Sequence, residues 1–183
     1  MQIISGTLKS RRLYYPKNRR FRPTQAKVKE AIFNIAQSYV DIKDCHVLDL
    51  CCGTGALGLE AYSRGAKSVY FVDRYIQYIQ KNISTLNLEQ VPELRIKKQD
   101  AAQFLKQYKD TVDLIFFDPP WDNAELYERV FTQLLDAPYS TRNTLIFFET
   151  RRENNTPNLP DSTSIKCYNY SSTNLTLLQH HAQ

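Results

Sequence analysis

Two short segments of this chain carry residue types that do chemistry, and they read as one site. Asp49-Leu50-Cys51-Cys52-Gly53-Thr54-Gly55-Ala56-Leu57-Gly58 is a glycine-rich turn at the end of an apolar stretch. Asp118-Pro119-Pro120-Trp121, 69 positions on from Asp49, is a rigid acidic corner capped by an aromatic, and it also closes an apolar stretch. A turn of the first kind holds a nucleoside cofactor, because glycine permits positive φ and close backbone approach. A corner of the second kind holds a flat base that bears an amino group. There the Asp118 carboxylate and the Pro119 carbonyl would accept the two N–H groups. The prolines, Pro119 and Pro120, fix the direction of that carbonyl, and Trp121 offers a face on which an extruded base stacks.

An exocyclic amine is a poor nucleophile while its lone pair is delocalised into the ring. Holding both hydrogens turns the lone pair toward an incoming group, and Asp118 receives or relays the departing proton. The cofactor is narrowed by charge. Gly53-x-Gly55-x-x-Gly58, with Asp73 at the distance that grips a ribose, also matches the dinucleotide fingerprint. Asp49 argues against pyrophosphate, since a carboxylate beside the turn repels phosphate and suits a cationic cofactor. S-adenosyl-L-methionine has no phosphate and carries a sulfonium and an ammonium group. The expected cofactor contacts are Asp49, Gly53, Thr54 and Gly55 in the turn, Asp73 on the ribose hydroxyls with Arg74 beside it, Asp100 and Ala101 at the adenine edge, and Asp118. Asp73 and Asp100 also suit helix N-caps. Cys51 and Cys52 are read as small packing residues. The two segments together imply methyl transfer to an exocyclic amine.

These residues need elements that bring them to one edge. Apolar positions predict strands over 47–50, 68–72, 94–98, 112–117 and 145–148, alternating with helices over 56–64, 76–86, 101–108 and 126–135. Such alternation predicts a parallel sheet covered on both faces, with 112–117, the most apolar strand, at its centre. Strands at 164–170 and 174–179, separated by Ser171-Ser172-Thr173, predict a closing antiparallel hairpin. Before the alternation, two short strands at 3–4 and 12–15 flank a turn at Gly6. A basic loop over 16–23 follows, and then a helix with Thr24 as its cap and Val28, Ala31, Ile32, Ile35 and Ala36 along one face. The expected class is α/β, a single domain of 183 residues with 1–38 as a basic N-terminal extension and 39–183 as the cofactor-binding core.

Charge is segregated rather than interspersed. Residues 1–29 hold nine Lys and Arg and no acid, whereas the remainder holds fifteen bases against nineteen acids. Clustered cations neutralise a polyanion and release its counterions, so Arg11, Arg12, Arg19, Arg20 and Arg22 are expected to contact RNA phosphates. Tyr14 and Tyr15 within this arm could stack on bases, but core packing is favoured. The cysteines, Cys45, Cys51, Cys52 and Cys167, lack paired spacing, which disfavours zinc and a disulfide framework and suits reduced thiols in the cytoplasm. No metal is expected. No apolar run reaches the roughly 20 residues of a membrane span, and the first residues are too briefly apolar for a secretory signal.

With these residues in hand, the chain resembles the RsmD-type methyltransferases, which modify guanine N2 in bacterial small-subunit (16S) ribosomal RNA. The resemblance is carried by Gly6, by Arg22-Pro23-Thr24 followed by Val28, Glu30, Ala31, Phe33 and Asn34, by 47–65, by Phe71-Val72-Asp73, by Asp100-Ala101 and by Asp118-Pro119-Pro120. It implies a seven-stranded class I methyltransferase fold (Rossmann-like) and a substrate presented on the small subunit or an assembly intermediate. Three positions depart from the family pattern: Trp121 stands in place of Tyr or Phe, Cys51-Cys52 replaces a bulky-small pair, and the last hairpin lacks a glycine. A DNA or RNA adenine-N6 or cytosine-N4 methyltransferase shares the acidic corner, although the DNA enzymes usually carry a sizeable recognition segment for which this chain has no room. An NAD-linked oxidoreductase is disfavoured by Asp49 and by the lack of a separate substrate domain. A catalytically silent RNA-binding assembly factor stays open. Monomer is the default expectation.

Overall fold

The computed structural model describes residues 1–16, 26–120, 123–135, 140–151, 163–170 and 173–180. Trp121, Arg19, Arg20, Arg22, the Thr24 cap and positions 171–172 lie outside the described residues. The helices are α1 (Ala26–Gln37), α2 (Ala56–Ser63), α3 (Gln77–Thr85), α4 (Ala101–Gln107) and α5 (Ala124–Leu135). The strands are β1 (His46–Leu50), β2 (Ser68–Asp73), β3 (Leu94–Lys98), β4 (Val112–Phe117), β5 (Ser140–Arg151), β6 (Thr163–Tyr170) and β7 (Thr173–His180). They form one seven-stranded sheet in the order β3-β2-β1-β4-β5-β7-β6. The first five strands pair in parallel, and β7 pairs antiparallel with both β5 and β6. This is the mostly parallel sheet with an antiparallel closing hairpin that the alternation predicts.

Side chains alternate across a strand, so β4 feeds two separate cores. Leu114 and Phe116 pack with Val28, Ile32 and Phe33 of α1, Leu57 and Leu59 of α2 and Ile79 and Ile83 of α3. Ile115 and Phe117 pack on the other face with Phe104 and Leu105 of α4 and Tyr127, Val130 and Phe131 of α5. Burial on both faces explains why β4 is an almost uninterrupted apolar run.

The N-terminal segment belongs to the first of these cores, through buried Ile3 and Leu13. The two short strands expected there reduce to a single antiparallel bridge between Gln2 and Arg12. The amides of Ile4 and Ser5, which a longer ladder would use, instead donate to the Glu60 carboxylate at 2.8 and 3.0 Å. Glu60 lies fully buried on α2 and also takes Lys29 Nζ of α1 at 2.8 Å and Arg64 Nε at 3.0 Å. One carboxylate thus ties the N-terminal turn and α1 to the helix that follows the glycine-rich turn. Gly6, at φ +83°, closes the joint, since a Cβ there would collide with the Ser63 carbonyl at the end of α2.

β5 runs further than the apolar 145–148 stretch at both ends. Its start pairs Ser140 with Val112 across an irregularity, and its polar end, Glu149-Thr150-Arg151, pairs with Leu175, Asn174 and Thr173 of β7. Backbone pairing carries the strand past the point where its apolar pattern stops. Among the described residues, no helix is long and apolar enough to cross a membrane.

Candidate active site

The strand order reverses between β1 and β4, and in open α/β sheets ligands bind outside the carboxyl ends of the strands at that switch. The two segments that carry the chemistry meet there. The Asp118 amide, directly after β4, donates to the Leu50 carbonyl at the end of β1 at 3.4 Å. The Cys52 amide in the glycine-rich turn donates to the Val72 carbonyl of β2 at 3.1 Å. Asp49, Asp73, Asp100 and Asp118 therefore stand along one edge of the sheet, as their positions in the alternation require.

The turn is held in left-handed conformation at Cys51 (φ +59°), Gly53 (φ +52°) and Gly55 (φ +74°). A side chain in that region costs about 1–2 kcal/mol, so Cys51 is a strained position that its apolar character alone does not reveal. The glycines were expected to make room for a ligand. At Gly55 and Gly58 the crowding partners belong to the protein: a Cβ on Gly55 would strike Ile79, and one on Gly58 would strike Phe71 and Val69. α2 begins at Ala56 with its first turns pressed onto β2, and this close packing positions the loop.

Each acid has a distinct environment. Asp49 is 2% exposed, and one of its carboxylate oxygens accepts the Gly58 amide at 2.9 Å. Burial, with Asp118 and Asp73 nearby, pushes its carboxyl up to about 8 against the pull of that amide. Asp73 accepts the Gly53 amide at 2.9 Å and the Tyr75 amide at 2.8 Å, one on each oxygen. Burial still raises it above the ordinary carboxylate range. Asp100 caps α4 by accepting the Gln103 amide at 3.1 Å, and it pairs with Arg74 at 2.6 Å and Arg129 at 3.0 Å. Burial would raise Asp100, but the Gln103 amide and these two guanidiniums hold it below its usual value. Ala101 is the buried first residue of α4, and Arg74 is largely exposed apart from its ion pair.

At the corner, Asp118 is half-buried, Pro119 buried and Pro120 exposed. The Pro120 carbonyl accepts the Asn123 amide at 3.1 Å, and Asn123 caps α5 through the Leu126 amide. Two phenols feel the Asp118 charge. Tyr127 of α5 lies against Phe117 and donates its hydroxyl to the Glu149 carbonyl at 2.7 Å. Tyr15, from the N-terminal strap, has a buried hydroxyl with no hydrogen-bond partner among the described residues. Burial and the Asp118 charge raise both phenols. Tyr14 is not a core residue: it is 36% exposed and rests on Tyr78 and under Lys81 of α3. Arg11 and Arg12 are exposed, with Arg11 reaching the Thr85 carbonyl at 3.4 Å.

No motif marks Asn82, although it holds this region together. Fully buried on α3, it accepts the Tyr14 amide at 2.6 Å and donates to the carbonyls of Tyr14 at 3.2 Å and Thr54 at 2.8 Å. A polar residue inside an amphipathic helix reads as solvated, so only its contacts disclose it. Among the described residues, no three His, Cys, Asp or Glu side chains converge as metal ligands do. The carboxylates around the turn fit a cationic ligand and oppose an anionic one, because a positive charge there would offset the burial, and the added repulsion from Asp118 and Asp73, that raise Asp49.

Comparison with known proteins bears on the whole chain. Residues 1–179 match the family model described as conserved hypothetical protein 95. The ribosomal RNA small subunit methyltransferase D of Escherichia coli K12 is 33% identical over 168 residues, covering 90% of this chain and 82% of that protein. Its namesake in Haemophilus influenzae is 32% identical over 158 residues, covering 84% and 80%. The solved structure of yhhF from Escherichia coli superposes with a TM-score of 0.86 at 31% identity, covering 100% of this chain and 99% of that one. An rRNA methylase from Streptococcus thermophilus shares the fold alone, with a TM-score of 0.65 at 12% identity over 83% of this chain and 95% of that one. The seven-stranded sheet is that of the class I methyltransferases, and the chain belongs to the RsmD-type methyltransferase family.

Proposed function

We propose that this protein transfers a methyl group from S-adenosyl-L-methionine to the exocyclic N2 amine of a guanine in bacterial small-subunit (16S) ribosomal RNA. The observation that carries the reading is the junction of Asp118 with Leu50, which sets the acidic proline corner against the start of the glycine-rich turn. Membership of a family whose relatives are named for small-subunit ribosomal RNA supports the substrate class.

S-adenosyl-L-methionine, when bound, supplies a methyl group activated by its sulfonium. The chain's residues bind and orient. Asp73, whose oxygens are aligned by the Gly53 and Tyr75 amides, keeps lone pairs for the ribose hydroxyls. Asp49 favours the ammonium end, and the backbone of Gly53, Thr54 and Gly55 lines the pocket. Asp100 is committed to Arg74, Arg129 and Gln103, so its part is to order the first turn of α4, where the Ala101 amide addresses the adenine edge. At the corner, the Asp118 carboxylate and the Pro119 carbonyl hold the amine hydrogens, Pro120 stiffens the turn and Trp121 stacks on the base. Positioning supplies most of the rate, and Asp118 takes the proton released as the N–C bond forms. Arg11, Arg12, Arg19, Arg20 and Arg22, within the 1–38 extension, hold phosphates, while 39–183 holds cofactor and base. The protein acts as a monomer in the cytoplasm, on the small subunit or an assembly intermediate.

Asp118→Ala tests the assignment. Methyl transfer should fall by about 10²-fold or more while RNA affinity is retained. Undiminished transfer would contradict the role given to Asp118. A wild-type protein that binds RNA and transfers nothing would be an assembly factor.

A further inference from the structure

The N-terminal strap meets the surface of α3 at two places. The Tyr14 ring stacks on Tyr78, with centroids 6.3 Å apart and planes at 18°, and the Lys81 ammonium sits 3.7 Å from the centre of the Tyr14 ring. One turn further along α3, the Arg11 guanidinium reaches the Thr85 carbonyl at 3.4 Å. Lys81 and Arg11 are both exposed, and they bracket the last turn of the helix, about 6 Å of its axis. The contact with Lys81 is not what fastens the strap. Asn82 already accepts the Tyr14 amide at 2.6 Å and donates to its carbonyl at 3.2 Å, and Leu13 is buried in the core. An exposed cation–π pair adds little to such an anchor. It does hold the head of a long, flexible side chain at one place on the surface, which lowers the entropy lost when that head takes a ligand.

The charge on this face has no local counterpart. Residues 1–29 hold no acid, and residues 74–88, which include all of α3, hold Arg74 and Lys81 and no acid either. Among the described residues, the ion pairs involve neither Lys81 nor Arg11. Unbalanced, preordered cations suit a polyanion, whose counterions they replace. The face also adjoins the site, because the Asn82 side chain that holds Tyr14 donates to the Thr54 carbonyl of the glycine-rich turn at 2.8 Å. We propose that ribosomal RNA runs from the site across this face, where Lys81, held by the Tyr14 ring, binds a backbone phosphate beside Arg11. The inference rests on the functional reading above, and it carries the RNA contact beyond the 1–38 extension onto the helix between β2 and β3.

Lys81→Gln removes the charge and keeps a polar side chain on the helix surface. Its affinity for small ribosomal subunits that lack the modification should fall by about 3- to 10-fold, and the slope of log affinity against log salt should lessen by about 1. Lys81→Arg should keep both the affinity and the slope. In either variant the melting temperature and the dissociation constant for S-adenosyl-L-methionine, measured by calorimetry, should match the wild type. Wild-type affinity and slope in Lys81→Gln would overturn the inference alone. So would a lowered melting temperature alongside the lost affinity, which would make Lys81 a latch for the strap. A wild-type protein with no affinity for the subunits would overturn the functional reading, and this inference with it.

Discussion

Asp49 holds a proton that a cationic ligand should displace. Burial, with Asp118 and Asp73 nearby, sets its carboxyl at about 8 in the folded protein despite the Gly58 amide, and near neutral pH it is largely neutral. A positive charge beside it favours the carboxylate, so binding S-adenosyl-L-methionine should release a proton below that value. Affinity is therefore expected to rise between about pH 6 and pH 8 and to level off above. Calorimetry in two buffers of different ionisation enthalpy reads the proton directly, and Asp49→Asn should abolish both the release and the slope. A flat affinity profile in the wild type would remove Asp49 from the cofactor's charged end. The same carboxyl has the opposite bearing on stability. Its folded value is raised, so the unfolded chain loses the proton first, and this group's contribution to stability declines as pH rises from about 4 toward 8. Asp49, Asp73 and Asp118 were legible in the sequence because each follows an apolar run that had to be a buried strand. The Asn82 clamp was not, since its meaning lies in contacts between segments that no local pattern joins.

At the scale of elements, the joint between the N-terminal turn, α1 and α2 depends on Glu60. It receives two cations and two backbone amides in a site closed to water. Burial would raise its carboxyl, but Lys29, the Ile4 amide and Arg64 hold it below the usual range. Glu60→Ala leaves Lys29 buried without its counter-charge and should cost about 3–5 kcal/mol in urea unfolding at neutral pH. The double variant Lys29→Met/Glu60→Leu should recover much of that loss, and a double variant no more stable than the single would contradict this account of the joint. Because the folded value is lowered, the stabilisation is present above Glu60's unfolded pKa and is lost as pH falls through its folded one. Helices and strands from 46 to 135 follow their apolar periodicity closely, since packing against one sheet enforces it. The pattern fails where something else supplies the hydrogen bonds. Glu60 takes the amides that would have extended the first strand, and β7 carries β5 on through polar Glu149 and Thr150.

At the scale of the molecule, nine of the cations lie in the first 29 residues, and the rest of the chain is net acidic. Neutralising Arg11, Arg12, Arg19 and Arg20 together should weaken RNA binding and reduce the slope of log affinity against log salt by about 3, with cofactor affinity unchanged. Loss of cofactor affinity without loss of RNA binding would instead make these residues structural. The central claim is that the site formed at the carboxyl ends of β1 and β4 methylates an exocyclic guanine amine. Its most direct test is transfer from labelled S-adenosyl-L-methionine to small ribosomal subunits that lack the modification, followed by digestion to nucleosides and mass spectrometry. The account predicts labelled N2-methylguanosine. Labelled N6-methyladenosine, or no labelled nucleoside from subunits that the protein demonstrably binds, would contradict it.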